Sequence, residues 1–327
     1  MSNISQSRVP VLALVVVVAL FSLDFLAGWT YGLVAMLAMV AVGLAFRRAY
    51  PNQRLLWWRP DGKDLIAVAV MYVGVVAAVG LAFLRFTVDA MVGLFISYAV
   101  VGLLLLGVVG PVVYTVWWRK RPLRSLGVGL DQWRPTVVLA LVFAAAQFSL
   151  TLWGYDLPQP VDWMPLLLMS LTVGVFESIF FRGFIQNRLE QAFGPVVGIG
   201  SASLLYGFYH LGYGMGMGEI AFLTGLGVVY AMAFATTRNL LVLWPLLTPL
   251  GSFFNNLTGG DIELPWASMI GFGEVLVAMG VVLWLAHRRS ARRSIPVNEE
   301  PRVEGTGELL LAGQKGPQLG DFTRTSR

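Results

Sequence analysis

The sequence has no cysteine and only two histidines, at positions 210 and 287. The lack of cysteine excludes disulfide bonds, thiol catalysis and Cys-ligated metal centres. Charged side chains are also scarce: they make up 13% of the 327 residues, roughly half the share found in soluble globular chains. Because 57% of the residues are hydrophobic, the composition argues against an ordinary soluble domain and indicates a polytopic membrane protein.

Apolar runs long enough to cross a bilayer recur along the chain. They predict an all-α membrane helix bundle with about ten transmembrane helices. The runs lie near residues 9–28, 31–46, 64–84, 90–118, 136–154, 164–186, 195–213, 219–236, 240–257 and 266–286. The first run follows Arg8 without a clear small-residue cleavage site, so we expect an uncleaved helix there.

The loops between these runs alternate in charge. Residues 47–63, 119–125 and 287–294 are basic, whereas 155–162 and 259–265 are acidic or neutral. The positive-inside rule therefore predicts cytoplasmic basic loops and two cytoplasmic termini, in a multi-pass protein of the plasma membrane. Short basic loops of this kind fit contact with the lipid bilayer and argue against nucleic-acid binding.

The distribution of apolar runs and charged residues along the sequence predicts that the chain has three parts. Residues 1–154 form N-terminal transmembrane helices of unknown role, and residues 155–287 form a helical core that holds the polar residues described next. Residues 288–327 are rich in Gly, Pro and charge without apolar periodicity, which predicts a disordered cytoplasmic tail.

A scan of the apolar runs singles out four ionisable candidates: Asp24, Glu177, Arg182 and His210. A charge at the bilayer centre costs roughly 2.5–3.5 kcal/mol, so each is a functional candidate. Asp24 lies close to the outer end of the first run, where an interfacial acid is the simpler interpretation.

Glu177 and His210 are predicted to lie at the same depth. They stand at nearly equal sequence distances from Gly194-Pro195, Glu177 before this pair and His210 after it. Two antiparallel helices joined at Gly194-Pro195 would bring both side chains near the bilayer midplane. A carboxylate and an imidazole in such a site can activate water as general bases. A buried hydrogen-bonded pair that only fixes helix packing is the alternative.

The helix that carries His210 has a polar and small-residue face. Ser203, Tyr206, Gly207 and His210 recur at helical spacing and share this face. Ser203 and Gly207 form a pair of small residues that allows another helix to approach closely.

Arg182 has two possible roles. On an α-helix it can touch Ser178 four residues earlier, whereas Glu177 points about 100° away from Ser178. We therefore expect Arg182 either to organise the site or to extend toward the cytoplasmic surface.

Asn255 and Asn256 form a third polar element. Asn255 lies as far along the chain from Leu240 as His210 lies from Pro195, which places it at the depth of Glu177 and His210. An Asn amide can donate a hydrogen bond to a developing oxyanion, although a helix cap beside a Gly-rich loop is the alternative. The sequence leaves open which of the two amides faces the site.

These residues resemble the motifs of the CPBP intramembrane proteases, also called the type II CAAX prenyl endopeptidase or abortive-infection family. The EExxxR motif of that family reads ESIFFR from Glu177 to Arg182, with Ser178 in place of the second Glu. The FxxxH motif reads YGFYH from Tyr206 to His210. The resemblance covers about residues 164–257.

The third family motif, HxxxN, is incomplete. Asn255 or Asn256 can supply its Asn, but Gly251 or Ser252 stands where the family has a His. The Ser252 hydroxyl could replace the missing donor.

The resemblance implies an all-helical membrane core with glutamate-dependent endopeptidase activity. By this analogy Glu177 and His210 activate a water, Arg182 holds the motif helix, and Asn255 stabilises the oxyanion. The implied substrate is a membrane-associated peptide or lipoprotein. Family members trim prenylated CAAX tails in eukaryotes, and bacterial members are linked to bacteriocin processing or immunity.

No metal or other cofactor is expected, because catalytic zinc usually needs three protein ligands and the core offers too few. Two other functions stay open. One is a catalytically degenerate homologue that binds a membrane peptide in immunity or regulation. The other is a transporter or lipid-handling protein that uses the same polar cavity.

Overall fold

The described part of the chain is entirely helical in its regular structure. This computed structural model describes residues 62–85, 91–130, 133–134, 136–138, 140–141, 160–244, 253 and 264–292. Within these ranges every regular element is a helix and none is a strand, which confirms the all-α class. Five helices among the described residues are long and apolar enough to cross a membrane. The runs at 9–28 and 31–46 lie outside the described residues, so the total of about ten spans stays a prediction, as do the cytoplasmic termini.

Six helices make up the described bundle. Three of them are single α-helices: α1 (Gly62–Arg85), α5 (Met217–Thr237) and α6 (Trp266–Ala291). Helix α4 (Pro195–Tyr209) continues into a 3₁₀ turn over His210–Tyr213. Further 3₁₀ turns lie at Leu123–Leu126 and Leu240–Val242.

Helices α2 and α3 change their winding along their length. Helix α2 is α-helical over Met91–Phe95, π-helical over Ile96–Val109, α-helical over Gly110–Val113 and π-helical over Tyr114–Trp118. Helix α3 is α-helical over Pro160–Glu177, π-helical over Ser178–Gln186 and α-helical again over Asn187–Phe193. A π-helix bonds residue i to i+5 and therefore holds more residues per turn than an α-helix.

The turn between α3 and α4 forms where the sequence predicts it. Gly194 has a φ of +82°, a backbone conformation that glycine adopts without strain. Pro195 follows at the first position of α4, where its missing N–H costs nothing. Just after the turn, a Cβ on Gly198 would lie 2.8 Å from the Glu190 side chain, so the two helices are in close contact there.

Helices α4 and α5 also pack closely, through small residues. A Cβ added at Gly207 would lie 2.9 Å from the Ile220 carbonyl oxygen, and one added at Gly227 would lie 2.9 Å from the Tyr206 ring. The close helix approach predicted from Ser203 and Gly207 is therefore present.

The apolar core is continuous through α1 to α6. Its centre is a group of phenylalanines on α3, all fully buried: Phe176, Phe180, Phe181 and Phe184. Phe176 packs against Gly107 of α2, where no larger side chain would fit. Helices α1 and α2 precede residue 154, yet they share this core with α3.

A buried ionic network joins the beginning of α1 to the ends of α2 and α3. The Asp64 carboxylate is fully buried and lies 2.8 Å from Arg121, 3.5 Å from Arg119 and 3.8 Å from Arg188. The Tyr114 hydroxyl donates to the same carboxylate at 3.0 Å. A carboxylate with this many donors fixes the relative positions of three helix ends.

A second polar network joins the end of α3 to the end of α5. Arg238 lies 2.6 Å from the Glu190 carboxylate and also donates to the Asn187 side-chain oxygen at 3.3 Å. Gln186 donates to Glu190 at 2.7 Å and to the Ala231 carbonyl at 2.9 Å.

We call the end of the bundle that holds these two networks the basic end. Helix α6 finishes there too, because the Leu123 N–H donates to the Ser290 hydroxyl at 3.0 Å. Its Lys and Arg residues include Lys63, Arg119, Lys120, Arg121, Arg124, Arg188, Arg238, Arg288 and Arg289, and its acids include Asp64 and Glu190. This end contains the basic segment 119–125, and its cytoplasmic location stays a prediction of the positive-inside rule.

Gly183 permits a close contact at the basic end and gives a test of the packing. A Cβ on Gly183 would lie 2.5 Å from the Leu126 carbonyl oxygen, a backbone atom that cannot move away alone. Gly183→Ala should therefore cost about 1–3 kcal/mol of folding free energy, measured as a lower thermal unfolding temperature in detergent. Gly200→Ala on α4 is the matched control, since nothing lies within 4 Å of its Cβ. Equal unfolding temperatures for both variants would contradict this packing.

Candidate functional site

Glu177 is buried in the middle of the bundle. It ends the first α-helical stretch of α3, directly before the π-helical stretch, and is only 6% exposed. Its two carboxylate oxygens accept hydrogen bonds from two hydroxyls of α4, Tyr209 at 2.5 Å and Tyr206 at 3.2 Å. Hydrogen bonds of this kind offset part of the cost of keeping an ionised carboxylate away from water.

Arg182 lies beside Tyr206, one of the two tyrosines that bind Glu177. Its guanidinium carbon is 5.0 Å from the centre of the Tyr206 ring, in a cation–π contact. Because the residue is 1% exposed, the expectation that it extends to the cytoplasmic surface is wrong. The expected separation of about 100° between Glu177 and the Ser178–Arg182 face assumed an α-helix. The π-helical winding that begins at Ser178 changes these angles, and both charged groups reach Tyr206.

The predicted contact between Ser178 and Arg182 is not a hydrogen bond. Within the described part of the chain, neither terminal nitrogen of Arg182 has a hydrogen-bond partner, and neither does the Ser178 hydroxyl. Ser178 therefore does not take the place of the carboxylate that the family motif has at this position.

His210 follows directly after α4, at the start of the 3₁₀ turn, and is 7% exposed. Its Nδ1 lies 2.9 Å from the Tyr206 carbonyl oxygen. A carbonyl oxygen only accepts hydrogen bonds, so Nδ1 carries the proton in this contact. In the neutral imidazole the lone pair is then on Nε2, which can accept a proton or a hydrogen bond.

Tyr209 connects the two predicted catalytic residues. Its hydroxyl binds Glu177, and its ring centre is 4.0 Å from the centre of the His210 ring. Glu177 and His210 thus belong to one group of contacting side chains, which we call the Glu177 cluster: Glu177, Arg182, Tyr206, Tyr209 and His210.

Aromatic contacts continue from the Glu177 cluster along the bundle. The Tyr213 ring contacts His210 and Tyr209, with centres 5.5 and 5.6 Å apart. Its hydroxyl donates to the Tyr98 hydroxyl of α2 at 3.2 Å. Phe83 of α1 packs against both Tyr98 and Tyr213.

The role of the tyrosines is missing from the sequence-based prediction. The sequence places Tyr206 on the His210 face, but it predicts neither Tyr206 nor Tyr209 as a partner of Glu177. The spacing of these tyrosines could have indicated a shared role, because residues three apart are neighbours on the surface of a helix.

The other predicted site residues lie outside the described residues. These are Asp24, Ser252, Asn255 and Asn256. Among the residues that the structure describes, no group of three His, Cys, Asp or Glu side chains is arranged to hold a metal ion.

The segment that carries the Glu177 cluster matches a known family. Residues 158–246 match the family model described as type II CAAX prenyl endopeptidase Rce1-like. These residues form a CPBP-family domain. The resemblance predicted from Glu177, Arg182 and His210 is thereby confirmed. No curated protein and no solved structure significantly matches the chain.

Tyr209 provides a test of how the CPBP domain holds its buried carboxylate. Tyr209→Phe keeps the ring against His210 but removes the hydroxyl 2.5 Å from Glu177. Hydrogen bonds to charged groups contribute about 1.5–3 kcal/mol, so the unfolding temperature should fall by several degrees. Tyr72→Phe is the control, because the Tyr72 hydroxyl binds a backbone carbonyl, that of Leu205. An equal or larger fall for Tyr72→Phe would contradict the importance of the Tyr209 bond.

Proposed function

We propose that the CPBP domain hydrolyses a peptide bond of a membrane-associated substrate, with Glu177 and His210 activating the water. One observation carries this proposal. A buried carboxylate is held by two tyrosine hydroxyls beside an imidazole, inside the segment that matches the CAAX endopeptidase family.

Glu177 keeps the hydrogen-bonding capacity that a general base needs. A carboxylate has about four acceptor positions, and the two tyrosine hydroxyls use two of them. A water can donate to a remaining position. Glu177 then takes the water proton while the water oxygen bonds to the substrate carbonyl carbon. When the C–N bond breaks, the same proton passes to the leaving nitrogen.

His210 supplies a second acceptor for that water. With Nδ1 donating to the Tyr206 carbonyl, the imidazole orientation is fixed and Nε2 offers its lone pair. Arg182 acts as a positioning residue, because its contact with the Tyr206 ring holds the ring whose hydroxyl binds Glu177. Asn255 is the proposed donor to the oxyanion.

A second candidate function is that of a degenerate homologue that binds a membrane peptide without cleaving it. Two observations favour it: Ser178 replaces a family carboxylate, and the terminal nitrogens of Arg182 have no hydrogen-bond partner within the described residues. The N–H groups of a buried guanidinium that lacks partners among the described residues can bind a polar group of a peptide without any catalysis.

His210 variants distinguish the two functions. The protein is reconstituted in liposomes with quenched fluorescent membrane peptides, among them a farnesylated CAAX peptide. His210→Asn preserves a donor toward the Tyr206 carbonyl but removes Nε2, so cleavage should fall by about 10²-fold or more.

The control is Glu274→Gln on α6, an exposed position where cleavage should be unchanged. Binding of a peptide by the wild-type protein without any cleavage would refute the protease proposal and favour the degenerate homologue.

A further inference from the structure

The Glu177 cluster extends away from the basic end of the bundle. Glu177 precedes Arg188 on α3 by roughly 15 Å of helix. His210 follows directly after α4, whose 15 residues carry it roughly 22 Å from the turn at Gly194. Tyr213 lies further on, beside Phe83, which is close to the end of α1 opposite Asp64. The cluster therefore begins near the middle of the bundle and approaches the end opposite the networks of Asp64 and Glu190.

Packed side chains close the path from the basic end to Glu177. Phe180, Phe181, Phe184 and Ile185 occupy the turns of α3 between Glu177 and Arg188, and all four are fully buried. Phe176, Phe180 and Phe184 stack on one another, with ring centres 5.5 and 6.3 Å apart. The Arg188 guanidinium covers the last of these rings at 3.9 Å. The polar side chains of the same stretch, Ser178, Arg182 and Gln186, are buried as well, so within the described residues α3 is packed on this side of Glu177.

The end of the bundle opposite the basic end has tyrosine hydroxyls in its interior and exposed residues around its rim. Tyr213 is only half-buried, and residues 214–219 after it are mostly exposed. Large apolar side chains surround this rim and face outward: Leu84 at 63% exposure, Leu211 at 45% and Met217 at 65%. The charges described at this end of α1 and α5 are Arg85 and Glu219, in contrast to the many Lys and Arg residues of the basic end.

We infer that the Glu177 cluster opens to the extracytoplasmic face of the membrane and receives an apolar peptide segment from that side. The positive-inside rule places the basic end in the cytoplasm, and the phenylalanines close that direction. The rim of Leu84, Leu211 and Met217 suits an apolar segment embedded in the outer leaflet. That this segment is cleaved rests on the proposed function, whereas the direction of the opening does not.

The absence of cysteine from the chain makes the opening directly testable. Single-cysteine variants at exposed positions on the two ends, Met217→Cys and Arg124→Cys, are treated on intact cells with a membrane-impermeant maleimide. We expect labelling of Met217→Cys and no labelling of Arg124→Cys until the cells are permeabilised. The reverse pattern would overturn the inference.

A second pair of variants tests access to the cluster itself. Tyr213→Cys should react with a small impermeant methanethiosulfonate added outside the cells, while Phe184→Cys should react from neither side. Modification of Tyr213→Cys only in inverted vesicles would contradict the opening.

These labelling results do not depend on catalysis. Labelling as expected, together with a wild-type protein that cleaves none of the peptides, would end the protease proposal but support the opening. Cleavage of a peptide supplied only from the cytoplasmic side of oriented vesicles would refute the opening and leave the protease proposal intact.

Discussion

Replacing Glu177 with glutamine should lower peptide cleavage in reconstituted liposomes by about 10²–10⁴-fold, the usual contribution of a general base. Glutamine has nearly the same shape and keeps an oxygen that can accept from Tyr206 or Tyr209. The fold should therefore persist, and the unfolding temperature should stay within a few degrees of the wild-type value. The measurement is the initial cleavage rate at saturating peptide, alongside thermal unfolding in detergent.

Glu274→Gln makes the same chemical change at an exposed position of α6 and should retain full activity. A Glu177→Gln protein that cleaves at a rate close to wild type would exclude Glu177 as the base. Such a result would leave His210 as the group that activates water.

Asp64→Ala should give the largest loss of stability, about 3–5 kcal/mol, the usual effect of removing one partner from a buried ion pair. Asp64 is the carboxylate that Arg119, Arg121 and Arg188 all contact. Without it, three guanidinium groups lie close together in a buried site and repel one another. The loss should appear as a large fall in unfolding temperature and in the yield of monodisperse protein.

The neighbouring Lys63→Ala is the matched control, because Lys63 is exposed at the same turn of α1 and should change stability by less than about 0.5 kcal/mol. Asp64→Asn should fall between the two, since its amide oxygen can still accept from Tyr114 and Arg121. If Asp64→Ala were as stable as Lys63→Ala, the network could not be what fixes the helix ends.

Much of the helix pattern follows from apolar periodicity, because each helix needs a continuous apolar run of its own. The runs predicted at 64–84, 90–118 and 266–286 correspond to α1, α2 and α6. The turn at Gly194-Pro195 also follows from the sequence, since both residues have local conformational preferences that do not depend on distant contacts.

The features that the sequence did not reveal depend on contacts between distant residues. Asp64 and Arg121 are 57 positions apart, and Gln186 and Ala231 are 45 apart. No local pattern joins such pairs. Likewise, nothing in the local sequence distinguishes Tyr209 from other aromatic residues. Its hydroxyl reaches Glu177 only because α4 packs against α3.

The change of winding in α3 has a mechanical consequence. Nine residues wound with i+5 bonding form a shorter, wider stretch than the same nine would form with i+4 bonding. If Ser178–Gln186 rewound as an α-helix, α3 would lengthen and Glu177 would rotate relative to Arg188 without any break in the helix. The π-helical winding therefore sets both the height and the direction in which α3 presents the Glu177 carboxylate to the tyrosines of α4.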